Sequence, residues 1–64
     1  VTTSERIRAA LVEADVTQAQ VARFLGITQP AISRRLAVDF AWRVDDVQAI
    51  AALVDVDVLQ LIEG

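Results

Sequence analysis

The 64-residue sequence has no cysteine, histidine, lysine or methionine, one proline and two glycines. Without cysteine it can form neither a disulfide nor a thiolate site, a usage that fits a reducing compartment. Without histidine as well, only carboxylates remain for acid–base chemistry. There is no phosphate-cradling glycine loop, no catalytic-serine motif and no clustered oxygen ligands of the calcium-loop kind, so no enzymatic activity, cofactor or metal site is expected. The longest apolar runs are a few residues, so neither a membrane span nor a signal peptide is expected. A chain of this length makes one small domain, near the lower size that folds without disulfides or metal. Its valine start and lack of methionine read as a domain excised from a longer protein.

Positive charge is scarce and unevenly placed. The net charge is −3, from six arginines against nine acidic residues. Residues 1–36 hold five arginines against three acids, a net +2, whereas residues 37–64 hold Arg43 against six acids, a net −5. Two of the six arginines, Arg34 and Arg35, are neighbours. A nucleic-acid-binding protein has a basic footprint, and here that footprint has to be local.

The apolar residues recur with helical spacing throughout, which predicts an all-α fold. A first helix is expected over about Ser4–Ala14, with Thr2 to Glu5 as capping residues and Ile7, Ala10, Leu11 and Ala14 as its apolar stripe. Thr17 then caps a second helix with Val21, Ala22 and Leu25 inward, closed by Gly26 in the left-handed conformation. Thr28 opens a third helix, with Pro30 in its first turn, where no amide proton is needed. Because proline disfavours the α conformation at Gln29, either Thr28 or Gln29 can be the cap. A fourth helix starts between Arg43 and Asp45, with Val44, Val47, Ile50, Ala51 and Val54 on one face and an Asp45/Gln48 capping box. Asp57 and Gln60 repeat that box for a short fifth helix carrying Val58, Leu61 and Ile62. Most of the acidic charge is thereby assigned to helix starts, where it favours the positive end of the dipole.

The third helix carries the chemistry. At about 100° per residue, Ile32 and Leu36 lie about 40° apart and face the core, and Arg34 points opposite their mean direction. Pro30, Ala31 and Ser33 flank it outside the core stripe. Arginine can hold guanine O6 and N7 with two bonds and glutamine can do the same for adenine, either worth about 1–3 kcal/mol of discrimination. Ala31 can offer a methyl contact to thymine. Arg35, nearer the helix flank, is better placed for phosphate, where it adds affinity without sequence information. Ala22, Gly26 and Ile32 have the spacing of two helices crossing tightly at a sharp turn.

The run TQAQVARFLGITQPAISRRL, with IAALVDVDVLQLIE after it, resembles the lambda-repressor-like (Xre/Cro/C1-type) helix-turn-helix family from Thr17 onward. That resemblance implies a compact five-helix bundle, a single domain over residues 1–64 with its helix-turn-helix at about 17–36, and a third helix that enters the major groove. It implies base reading by Gln29, Ser33 and Arg34 together with Ala31. Phosphate contact falls to Gln18 at the start of helix two, with Thr28, Arg35 and Arg43 as further candidates. The implied function is sequence-specific binding of a double-stranded DNA operator, as the DNA-binding domain of a transcriptional or phage immunity repressor. Such a domain belongs in a bacterial or phage-infected cytoplasm, associated with the nucleoid. Dimerisation is assigned to a segment outside these residues or, weakly, to the fifth helix.

Several positions depart from the family pattern. Relatives often have a glycine and then basic or polar residues after the third helix, but here the segment is AVDFAW, whose Asp39 would repel phosphate. Arg43 stands where a serine or threonine commonly caps helix four, and it reads equally as a phosphate contact or a solvated side chain. Pro30 replaces a polar base-reading residue, narrowing the readout to Gln29, Ser33 and Arg34. Asp55 stands where glycine commonly ends helix four, a backbone that aspartate tolerates. Phe40 and Trp42 read as loop anchors that close the core. Phe24 lies off the helix-two stripe, and its exposure or that of Leu59 would form a protein-contact patch. The competing reading is therefore a helix-turn-helix-fold protein-interaction module that uses its acidic C-terminal half and aromatic loop.

Overall fold

Three threonines set where the first three helices begin. Thr2, Thr17 and Thr28 are each extended, and their hydroxyls accept the backbone N–H of Glu5 (3.1 Å), Gln20 (3.1 Å) and Ala31 (3.2 Å). Such a cap satisfies a donor with no partner inside the helix and is worth about 1 kcal/mol. The first two are full capping boxes, in which Glu5 and Gln20 accept the backbone N–H of Thr2 (2.8 Å) and Thr17 (2.7 Å). Thr28, rather than Gln29, is thus the cap of the third helix, and Pro30 lies in its first turn.

The computed structural model describes residues 1–62, among which there are five helices and no strand. They are α1 (Thr3–Ala14), α2 (Gln18–Leu25), α3 (Gln29–Ala37), α4 (Val44–Leu53) and α5 (Leu59–Ile62). The final Glu63 of the family-like ending lies outside the described residues.

Helices α1, α2 and α4 end in the same way. Asp15 (φ 58°), Gly26 (φ 75°) and Asp55 (φ 58°) adopt the left-handed conformation. The next residue then reaches back, Val16 to the Leu11 carbonyl (2.9 Å), Ile27 to Ala22 (2.9 Å) and Val56 to Ala51 (3.0 Å). This closure satisfies carbonyls that lack intrahelical partners and folds an apolar residue back onto the helix. Val16, Ile27 and Val56 all pack against the core. Only one of the three positions is glycine. Asp55 closes α4, as its place in the sequence suggests, and Asp15 closes α1, so fewer acidic residues than expected lie at helix starts.

The core joins Ile7 and Leu11 of α1, Val21 and Ala22 of α2, Ile32 and Leu36 of α3, Val47, Ile50 and Ala51 of α4, and Leu61 of α5. Each of the larger side chains is worth about 1.5–3 kcal/mol when fully buried. Helix α2 packs on α3 and α4, and α1 packs on α3 and α5. The expected stripes hold with exceptions at element ends. Val44, expected inward, is 63% exposed, because it is the first residue of α4 and no neighbour covers that end. Ala14, in the last turn of α1, is exposed as well.

The two C-terminal capping boxes do not form. The cap of α4 is Arg43, which makes no side-chain cap bond, so Asp45 and Asp46 already lie inside the first turn. At α5 neither bond of the box is made: Asp57 Oδ1 accepts the Leu59 N–H at 3.0 Å instead, and the Gln60 N–H goes to the Asp57 carbonyl at 2.9 Å.

Candidate nucleic-acid interface

The turn between α2 and α3 is Gly26-Ile27-Thr28. Gly26 supplies the reversal, Ile27 packs inward and Thr28 caps α3. Ala22 is buried where α2 meets α3, and its lack of bulk lets the two helices approach. With Ile32 and Leu36 fully buried, the opposite side of α3 faces outward. Pro30, Ser33 and Arg34 are exposed on or beside that side, and Ala31 is half-buried on one flank. Gln29 and Thr28 are exposed at the start of the helix, Gln29 nearer the direction of the core stripe. Gln18, the first residue of α2, is half-buried, and Arg43 is exposed at the start of α4. The eight candidate residues thus come from α3 and from the first residues or caps of α2, α3 and α4.

The two neighbouring arginines have different surroundings. Arg34 makes no ion pair among the described residues, whereas the Arg35 Nη1 lies 3.5 Å from Asp46 Oδ2 of α4. Its guanidinium carbon also lies 4.9 Å from the centre of the Phe40 ring, within cation–π range. Phe40 in turn meets Trp42 edge to face, with ring centres 5.1 Å apart. Trp42 packs against the core as expected of a loop anchor, whereas Phe40 is not among the side chains packed on the core and is held by Arg35 and Trp42 instead. Two successive three-residue turns shape the loop of residues 38–43, with the Phe40 N–H bonded to the Val38 carbonyl (2.9 Å) and the Trp42 N–H to the Phe40 carbonyl (3.0 Å).

Ser4 ties this loop to the rest. It is 1% exposed, the one buried polar residue among those described, and it was read from sequence only as part of a cap. Its hydroxyl donates to the Arg35 carbonyl (3.0 Å) and accepts the Trp42 indole N–H (2.8 Å). A single side chain of α1 thus holds both the last turn of α3 and the loop that leads to Arg43. Sequence offered no direct signal for this, since both partners lie more than thirty positions away.

The surface also exposes Phe24 (54%) and Leu59 (55%). Among the described residues no helix is long and apolar enough to cross a membrane, and no group of acidic side chains could hold a metal ion.

A sequence model described as Helix-turn-helix matches residues 7–61, spanning the core of all five helices. No curated protein and no solved structure matches the chain at a significant level. With its five-helix arrangement and glycine-turned α2–α3 pair, the chain belongs to the Xre and lambda-repressor type of helix-turn-helix family, a family of DNA-binding domains.

Proposed function

We propose that this domain binds double-stranded DNA in a sequence-specific manner, with α3 in the major groove, as the DNA-binding part of a transcriptional or phage immunity repressor. The observation that carries the reading is Arg34. It is an exposed arginine on the outward side of α3, without an ion pair among the described residues, in a domain where acidic residues outnumber basic ones. Gln29, Ala31, Ser33 and Arg34 read base edges, and Gln18, Thr28, Arg35 and Arg43 meet phosphate. An arginine has five donors in a fixed fork, so Arg35 keeps donors for phosphate while one nitrogen faces Asp46. One copy reads one half-site, and a dimer formed elsewhere in the protein, or weakly through α5, reads the whole operator.

The test is selection of bound duplexes from a random DNA pool at low salt, with Arg34→Ala in parallel. An enriched motif whose guanine position disappears in the variant supports base reading. A blank for both proteins, repeated with a fused dimer, would overturn it.

Exposed Leu59 favours a second reading, a protein-interaction module using the acidic C-terminal half of the domain and its aromatic loop, to which exposed Phe24 adds an apolar contact outside that half. Salt separates the two, because a ligand that releases counterions from phosphates loses affinity steeply as salt rises. Retention of binding through moderate salt would support the protein partner.

A further inference from the structure

An apolar recess lies beside the outward face of α3. Ala31, Arg34, Arg35, Val38 and Phe40 line it. Its apolar part comes from Ala31, the Phe40 ring and Val38, which is 55% exposed. The recess is preformed: the Phe40 ring is held by the Arg35 guanidinium and by its T-shaped contact with Trp42, and tight turns fix its backbone. Helix α3 also ends unlike α1, α2 and α4. Val38 is extended (φ −128°), without a left-handed closure, so its side chain is not folded back onto the core.

Two guanidinium groups border this apolar surface. Arg34 makes no ion pair among the described residues, while Arg35 faces Asp46. The exposed Asp39 between Val38 and Phe40 disfavours a phosphate on that rim. The occupant is therefore apolar where it touches Val38 and Phe40 and offers acceptors to Arg34. Duplex DNA presents one such apolar group in its major groove, the 5-methyl of thymine. We propose that the recess takes the 5-methyl group of a pyrimidine directly neighbouring the guanine held by Arg34, so that the domain reads a two-base step. This inference rests on the DNA-reading role of α3. Cytosine at that position leaves the recess unfilled, and 5-methylcytosine fills it as thymine does.

The experiment runs the random-pool selection twice, once with thymidine and once with deoxyuridine in its place, for the native chain and for Val38→Ala. Val38 is exposed, and thermal denaturation by circular dichroism establishes that the variant is folded. In the thymidine pool the native chain is expected to enrich a guanine flanked by thymine. In the deoxyuridine pool the guanine stays and the flanking preference is lost. Duplexes carrying thymine, deoxyuridine, cytosine or 5-methylcytosine at that position then measure affinity directly. Loss of the methyl group is expected to cost the native chain about fourfold, the weight of one buried methyl group, and to cost Val38→Ala much less. Equal affinity for thymine and deoxyuridine, or an enriched guanine with no flanking preference, overturns the methyl recess and leaves DNA reading by α3 intact. Enrichment of nothing in either pool overturns both.

Discussion

The Trp42 indole donates its N–H to the Ser4 hydroxyl, 2.8 Å away across 38 positions of sequence. The same hydroxyl gives its own proton to the Arg35 carbonyl, so its donor and acceptor functions are both used. The bond closes the loop that begins where α3 ends and delivers Arg43 to the start of α4. Replacing Ser4 by alanine leaves a carbonyl and an indole N–H without their partner in a place from which water is largely excluded. The expected loss is about 1–3 kcal/mol, a large share of the stability of so small a domain. Urea denaturation of Ser4→Ala, Trp42→Phe and the double variant measures it. The two changes should be non-additive by more than about 0.5 kcal/mol, and strict additivity would mean that the bond does not couple the loop to α1.

The left-handed helix ends give a second expectation, with opposite signs at two positions. A Cβ added at Gly26 meets nothing within 4 Å, so Gly26→Ala is opposed by the backbone conformation alone, at about 1–2 kcal/mol. Asp55 bears the corresponding strain now. Asp55→Gly is expected to raise stability by about 0.5–1 kcal/mol, the larger freedom of glycine in the unfolded chain offsetting part of the relief. Thermal melts of the two variants check both signs. A destabilised Asp55→Gly would show that the aspartate side chain contributes more than its backbone costs.

Much of the fold is legible in the sequence because its signals are local. Thr17, Thr28 and Gly26 each act within one turn of themselves, and the α2 and α3 stripes follow from helical spacing alone. Reading fails where the answer depends on what lies across the fold. Ser4 sits in a run of capping residues, and nothing nearby signals that its hydroxyl serves partners on α3 and the loop. Val44 has the spacing of a core residue but falls at a helix end that no neighbour covers. At the candidate interface, helical geometry singles out the outward side of α3. The difference between Arg34 and Arg35 depends on Phe40 and Asp46, which approach only after the chain has turned back.

The paired capping boxes predict a pH response confined to one helix start. The Thr2 backbone N–H donates to the Glu5 carboxylate and holds its pKa below the ordinary 4.5, with the Thr2 side chain and Arg8 acting in the same direction. Since the folded pKa is depressed, the contribution is fully present above about pH 4.5 and is lost as pH falls through the folded value. The box of α2 uses the amide of Gln20 for the same bond and has nothing to titrate. Amide proton shifts from NMR should show Thr2 titrating below pH 4.5 while Thr17 stays level, and Glu5→Gln should flatten the Thr2 curve. Thr2 and Thr17 moving together would indicate general acid unfolding instead.

Arg34 and Arg35, adjacent in sequence, are expected to fail differently when removed. Arg34→Ala should relax preference at one base position by about 1–3 kcal/mol with little effect on folding, because the side chain is exposed and makes no ion pair among the described residues. Arg35→Ala should weaken all duplexes alike, lower the salt slope by about one, and cost some stability through lost packing on Phe40. Asp46→Asn separates these two effects of Arg35. Its ion pair joins side chains more than a quarter exposed, so breaking it costs the fold at most about 1 kcal/mol. It also removes a negative charge beside the candidate phosphate donor and frees the nitrogen that now faces the carboxylate. Affinity should therefore rise for every sequence, most at low salt, with base preference unchanged. Fluorescence anisotropy titrations over a salt series with specific and scrambled duplexes measure all three variants. A uniform loss from Arg34→Ala, or a gain in Asp46→Asn restricted to the specific duplex, would reverse the roles given to the two arginines.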